Sequence, residues 1–162
     1  MYQKKTAYLG VFAAVAIIFG YVESLFPFFA GIPGIKLGLA NLAVLFILEK
    51  YTWKEAALVS AVRILVIGFL FGNMFSILYS LAGAALSLAV MTLMKKRAGF
   101  SILGVSVSGG VSHNIGQLII AALIVENTAF LYYAPVLIIS GVITGLLIGL
   151  LTREVLKRIP DS

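Results

Sequence analysis

Apolar residues run almost unbroken through this chain, and the few charges fall mostly in short breaks between the runs. The runs extend from about Thr6 to Phe26, Lys36 to Leu48, Glu55 to Phe71, Met74 to Met94, Phe100 to Val125 and Ala134 to Leu151. A helix that crosses a bilayer needs about 20 apolar residues, because it rises only about 1.5 Å per residue through a core about 30 Å thick. The alternative, a soluble core, fails on composition. The chain is 62% hydrophobic and 11% charged, with a mean hydropathy of +1.12. Soluble domains sit near 45–50% and about 25%, and 162 residues expose too much surface to hide the excess. The pattern predicts an all-α integral membrane bundle of six transmembrane helices, a single domain over residues 1–162 in which the lipid bilayer is the solvent.

Breaks of recognisable chemistry separate the runs. Pro27, Gly31, Pro33 and Gly34 interrupt the helical pattern and predict a structured turn. The second run is short, which predicts a tilted or partly re-entrant segment. Glu49 to Lys54 is a polar connection carrying Tyr51 and Trp53, residues that favour the headgroup level, and Tyr132-Tyr133 marks another interface. Gly72-Asn73 and Glu126-Asn127 predict tight turns.

The cations orient the bundle. In a six-span arrangement Lys4, Lys5, Lys50, Lys54, Lys95, Lys96, Arg97, Arg153, Lys157 and Arg158 share one side. Lys36 alone falls in a loop on the other side, and Arg63 lies within a span. Five or seven spans would scatter the same charges over both faces. Lys and Arg accumulate on the cytoplasmic side of membrane proteins, so both termini are expected in the cytoplasm. The net charge of +6 is therefore a topology signal, and no nucleic-acid partner is expected. Lys4 and Lys5 before an apolar run resemble a signal peptide, but the run is long, no clear small-residue cleavage site follows, and five more apolar runs come after it. With no cysteine there is no disulfide or thiolate metal site, and the redox compartment is not readable.

Small residues recur at helical spacing. Gly141-x-x-x-Gly145-x-x-x-Gly149 lies along one face of the last run and predicts close helix packing. Gly10-x-x-x-Ala14 and Ala16-x-x-x-Gly20 do the same for the first run, where one face is open to an external partner.

Polar residues at membrane depth carry the functional signal, because a charge there costs about 2.5–3.5 kcal/mol on insertion scales and normally faces the bundle interior or a wet cavity. Arg63 lies mid-run, Glu23 near the outer end of the first run, and Asn41 in the outer half of the second, close after Lys36. His113, Asn114 and Gln117 lie near the middle of the fifth run, and positions 113 and 117 share a face. Each has a structural explanation. Glu23 and Arg63 can neutralise one another, and the amides and histidine can be interhelical glue. Yet all lie at the midplane or in the outward half, as the lining of an outward-opening pocket would. Lys36, Arg63 and His113 make that pocket net cationic even against Glu23, so it suits an anionic or strongly polar small molecule.

Catalysis has little to stand on. The chain has one histidine and one aspartate, Asp161, and lacks the clustered aspartates that hold magnesium on prenyl diphosphates. It has no P-loop to hydrolyse ATP itself. No enzyme activity, metal or other cofactor is expected.

The stretch Gly31-Ile-Pro33-Gly34-Ile-Lys36-Leu-Gly38-Leu-Ala40-Asn41 resembles a bacterial membrane family, the Gx transporter family, often labelled heptaprenyl diphosphate synthase component I. Ser112-His113-Asn114-Ile-Gly116-Gln117, and Arg63 followed by Phe71-Gly72, extend the likeness over nearly the whole chain. That family in turn resembles the substrate-binding S components of energy-coupling factor (ECF) vitamin transporters. The resemblance implies six helices in the bacterial cytoplasmic membrane, capture of substrate from outside, and a lid formed by the loop 27–36. It also implies a coupling membrane protein with ATPase subunits, docked through small residues of the first helix. The usual docking pattern there is Ala-x-x-x-Ala, and Gly10-x-x-x-Ala14 is its nearest counterpart here. The residues expected to bind substrate are Arg63, His113, Asn114, Gln117, Asn41, Lys36 and Glu23. The synthase label implies a second reading, a membrane subunit of a prenyl diphosphate synthase, or an isoprenoid or quinone precursor as cargo. A stand-alone secondary transporter is a third.

Overall fold

A computed structural model describes residues 2–25, 38–97, 99–126 and 128–159. The elements are α1 (Tyr2–Leu25), α2 (Leu39–Lys50), α3 (Trp53–Phe71), α4 (Met74–Arg97), α5 (Ile102–Val125), a 3-10 segment (Thr128–Tyr133) and α6 (Ala134–Arg158). The described residues form a bundle of six α-helices, and the contacts Lys5–Glu55, Glu23–Leu39, Gly68–Ile77, Gly109–Met91 and Gly149–Leu103 run successive helices in alternating directions, so Tyr2 and Arg158 lie at one end of the bundle. Lys36 and the loop 27–36 lie outside the described residues.

Among the described residues four helical segments are long and apolar enough to cross a membrane: Lys5–Leu25, Met74–Arg97, Ile102–Val125 and Leu131–Arg158. α3 has 19 residues but carries Lys54, Glu55 and Arg63. α2, with 12 residues, rises only about 18 Å, well short of the hydrocarbon thickness. The six expected helices are present: four of membrane length, one charged, and α2, whose run was expected to be short, as a short internal helix.

The short helix organises the rest. Ala43 to Leu48 are buried on every side, as in a helix surrounded by protein. Around them pack Phe12 and Ala16 of α1, Ala56 and Val59 of α3, Met91 of α4, Val105 of α5 and Ile148 of α6. The Phe12 and Phe46 rings stack at 4.1 Å. Apart from Ala16, just past the middle of α1, these neighbours come from the half of each helix nearest the chain termini. α2 therefore fills that half of the bundle axis and stops, leaving the other half to be lined rather than filled.

Both ends of α2 are capped by other helices. Gly38, at φ 73°, supplies the left-handed backbone that opens the helix but no capping side chain. Instead the Leu39 N–H donates to Glu23 Oε1 of α1 at 2.7 Å. At the other end Lys95 of α4 donates to the Leu48 and Glu49 carbonyls at 2.6 and 3.0 Å and pairs with the Glu49 carboxylate at 3.2 Å. An anion at the start and a cation at the end both complement the helix dipole.

α6 runs past the expected boundary at Leu151 to Arg158. Its last turns remain helical because Val155, Leu156 and Ile159 pack against the core while Lys157 pairs with Glu154 at 2.8 Å. Glycine spacing decides the α5–α6 contact. A Cβ built on Gly141 would stand 2.9 Å from the Gly110 carbonyl, and one on Gly145 only 2.7 Å from Val107 Cα. The expectation of close packing along this stripe matches the geometry.

The α3 start is fixed by a capping box between Thr52 and Glu55. Glu55 also accepts from Lys5 at 2.5 Å. The Lys5 ammonium, then the Thr52 hydroxyl, hold the Glu55 carboxyl down at about 2. A carboxylate with a depressed folded-state pKa contributes stability above its unfolded value, near 4.5, and loses it as pH falls toward 2. The melting temperature of the detergent-solubilised protein should therefore fall between pH 5 and pH 2, and Glu55→Gln should shrink that fall by about 2–4 °C. This is the scale of a pair worth up to about 1 kcal/mol at a wet surface. An identical acid limb in the variant would remove the assignment.

Candidate functional site

Beyond the N-terminus of α2 lies a cavity of about 180 Å³. All six helices and the turn before α2 line it. α5 contributes Gly110, His113, Asn114 and Gln117, spaced three and four apart so that they share a stripe. α3 contributes Arg63, Ile67 and Phe71 at four-residue spacing. Ser76 and Ser80 of α4, Thr144 of α6, Glu23 of α1, and Gly38 with Asn41 at the start of α2 complete the polar lining.

Six of the seven residues expected to bind substrate therefore meet in one space: Glu23, Asn41, Arg63, His113, Asn114 and Gln117. Their depth is set by the end of α2, and they sit in the half of the bundle remote from the chain termini. The arrangement differs from the expectation in detail. Glu23 is more than a counter-charge for Arg63, since it also caps α2. The Asn114 side-chain amide donates to the Leu137 carbonyl of α6 at 2.8 Å, so part of its hydrogen-bonding capacity ties α5 to α6. Gln117 is almost fully buried. Its packing depends on Gly83 of α4, where an added Cβ would meet Gln117 Cγ at 2.7 Å and His113 Cε1 at 3.1 Å.

Arg63 is the electrostatic centre. Glu23 attracts its guanidinium, while its Nε is buried and has no hydrogen-bond partner among the described residues. A buried N–H left unmade costs about 1–3 kcal/mol, and more on a charged group, so its retention asks for an acceptor from elsewhere. Asn41 stands in the first turn of α2, where the Leu39 N–H is taken by Glu23 and the Asn41 N–H by the Gly38 carbonyl, so its side chain is what that turn offers the cavity. Among the described residues there is no group of three or more His, Cys, Asp or Glu able to hold a metal ion.

Sequence reasoning passed over Ser24, Ser76, Ser80, Thr144 and Gly38. Ser76 and Ser80 are four apart and face the cavity with Gly83 three residues on, a spacing visible in the sequence. Hydroxyls carry little signal in an apolar helix because they can bond to its own backbone, as Thr144 does to the Ser140 carbonyl at 2.9 Å. Of the expected docking residues, Gly10 and Ala14 are exposed on the outside of α1, and a Cβ on Gly10 would meet nothing within 4 Å. Ala16 and Gly20 are buried, with Gly20 against Ile67 of α3. The two small-residue pairs thus point to opposite sides of α1.

A family model described as heptaprenyl diphosphate synthase component I matches residues 12–155 of the chain. No curated protein and no solved structure matches it. The chain belongs to the heptaprenyl diphosphate synthase component I family.

Proposed function

We propose that this family member is a multi-pass protein of the bacterial cytoplasmic membrane, with both termini in the cytoplasm, and the substrate-binding subunit of an ECF-type importer. It captures a small anionic or strongly polar molecule from outside. The observation that carries this reading is the cavity beyond α2, where Arg63 Nε is buried without a partner among amides, hydroxyls and His113. Arg63 receives the negative group. Asn41, His113, Asn114 and Gln117 supply hydrogen bonds, and Lys36 with the loop 27–36 closes over the molecule. No catalytic step is assigned to these residues. Gly10 and Ala14, exposed on α1, form the face on which a coupling membrane protein with its ATPase subunits docks.

The family description favours a second reading, a membrane subunit of a prenyl diphosphate synthase. The cavity volume weighs against synthesis within it. A cavity of about 150 Å³ holds benzene, so about 180 Å³ takes a compact molecule and not a heptaprenyl chain. Cargo of isoprenoid or quinone-precursor chemistry stays compatible if it is small.

The docking face separates the readings. The protein purified gently from its own membranes is expected to bring down a coupling membrane protein and ATPases. Gly10→Leu with Ala14→Leu is expected to lose them at an unchanged melting temperature, because neither residue is packed. Uptake by the chain alone in proteoliposomes, driven by an ion gradient, would overturn the importer assignment. Prenyl diphosphate synthesis that requires this chain would favour the synthase.

A further inference from the structure

A second concavity lies on a different face of α5, between α4 and α6. It is a groove of about 580 Å³ walled by Val90 and Leu146 and ended by Phe100. Its floor carries Gly104, Ser108 and Ser112, small residues at four-residue spacing. The serines add no polarity: Ser108 Oγ donates to the Val105 carbonyl at 2.9 Å and Ser112 Oγ to the Ser108 carbonyl at 2.6 Å. What remains exposed is hydrocarbon. From Leu103 to Ile115 the floor is roughly 18 Å long, slightly more than one leaflet of a core about 30 Å thick. Scaling from a cavity of about 150 Å³ that holds benzene, the volume takes roughly twenty carbons, the size of one acyl chain.

The groove is charged at one end only. Lys96 and Arg97 close α4 and are exposed. Arg97 precedes Phe100 by three residues, which bounds the separation of their Cα atoms at about 11 Å. Arg153 lies one turn beyond Gly149, whose Cβ position is 3.2 Å from Leu103 Cα. Arg153 is the weaker contributor, since Glu154 stands 3.8 Å from it. An apolar trough one acyl chain long that opens onto two cations matches one class of amphiphile. We propose that the α4–α5–α6 groove is a binding site for an anionic phospholipid of the leaflet facing the chain termini, with an acyl chain along Gly104, Ser108 and Ser112 and the phosphate at Lys96 and Arg97. It is separate from the polar cavity, and neither site requires the other.

The full-length protein in detergent is the material for the test, with phosphatidylglycerol and phosphatidylcholine of identical acyl chains as probes and native mass spectrometry as the readout. Each cation near an anionic headgroup is worth about 1 kcal/mol, or about fivefold in affinity. Wild type should retain phosphatidylglycerol at least about fivefold better than phosphatidylcholine. Lys96→Gln with Arg97→Gln should abolish the preference and leave phosphatidylcholine retention unchanged. Ser108→Leu, which fills the floor, should weaken both lipids, and Val111→Phe serves the same purpose if that variant does not fold. Arg63→Met should change neither. Equal retention of the two lipids by wild type overturns the site, as does a preference that survives loss of Lys96 and Arg97. Groove-filled variants that keep both lipids but release a co-purifying membrane protein overturn it in favour of a docked helix.

Discussion

Gly145→Leu is expected to destabilise the bundle by about 3 kcal/mol or more and to lower its melting temperature in detergent by roughly 6–12 °C. The position of the obstruction sets the size of the effect. A Cβ on Gly145 meets Val107 Cα at 2.7 Å and the Ser106 carbonyl at 2.9 Å. Both are backbone, so no side chain can rotate away, and α5 and α6 must separate. Between apolar helices in lipid there is little hydrophobic drive to compensate, because association there rests on close packing. The separation also spoils the Gly110–Gly141 approach and pulls Leu137 away from the Asn114 amide. Gly10→Leu is the matched control: it adds the same atoms to a glycine of α1 with open space around it, and its melting temperature should stay within about 2 °C. Equal melting temperatures for Gly145→Leu and Gly10→Leu would refute this account of the α5–α6 contact.

The contrast between those glycines also marks what the sequence can disclose. Apolar runs and their charged breaks place α3, α4 and α5 within a few residues, because lipid forces backbone hydrogen bonds to close within each helix. The tail of α6 was hidden, since its apolar contacts alternate with charges that read as a hydrophilic end. Spacing shows that Gly10/Ala14 and Ala16/Gly20 can each pack, but not which faces the bundle. That depends on where α3 comes to rest. The polar cavity was legible as a set of residues at a common depth. Its cause was only half legible: the shortness of α2 shows in its run, but its burial among the other helices does not. Nor could sequence reveal that Glu23 reaches Leu39 or that Lys95 reaches Leu48. These are long-range contacts in which a side chain that looks like a site charge or a topology signal caps a distant helix. Asn114 shows the same ambiguity, one amide serving both a helix contact and a cavity wall.

Arg63→Met should separate binding from stability. If Arg63 were there to hold the fold, its removal would cost several kcal/mol, the usual result of breaking a satisfied buried charge pair. Its Nε is instead buried without a partner among the described residues, so the folded protein carries a desolvation cost that a methionine of similar reach would relieve. The melting temperature of the variant should therefore equal or exceed that of wild type. Glu23 then faces the cavity with less positive charge beside it, but it keeps the Leu39 N–H at 2.7 Å and the positive end of α2. Binding should respond in the opposite sense. Removing the charged partner of a buried anion costs about 2–5 kcal/mol, roughly 30-fold to several thousand-fold in affinity. Small molecules retained on gently purified wild type and identified by mass spectrometry should be missing from Arg63→Met, while its helicity and thermal unfolding stay intact. Arg63→Lys keeps the charge but not the fixed fork of donors and should bind between the two. A variant that retains the same molecule at the wild-type level would leave the cavity as packing around a buried cation, and a variant that unfolds would make Arg63 a structural residue. Only loss of ligand at undiminished stability fits a residue whose unmet hydrogen bond is reserved for cargo.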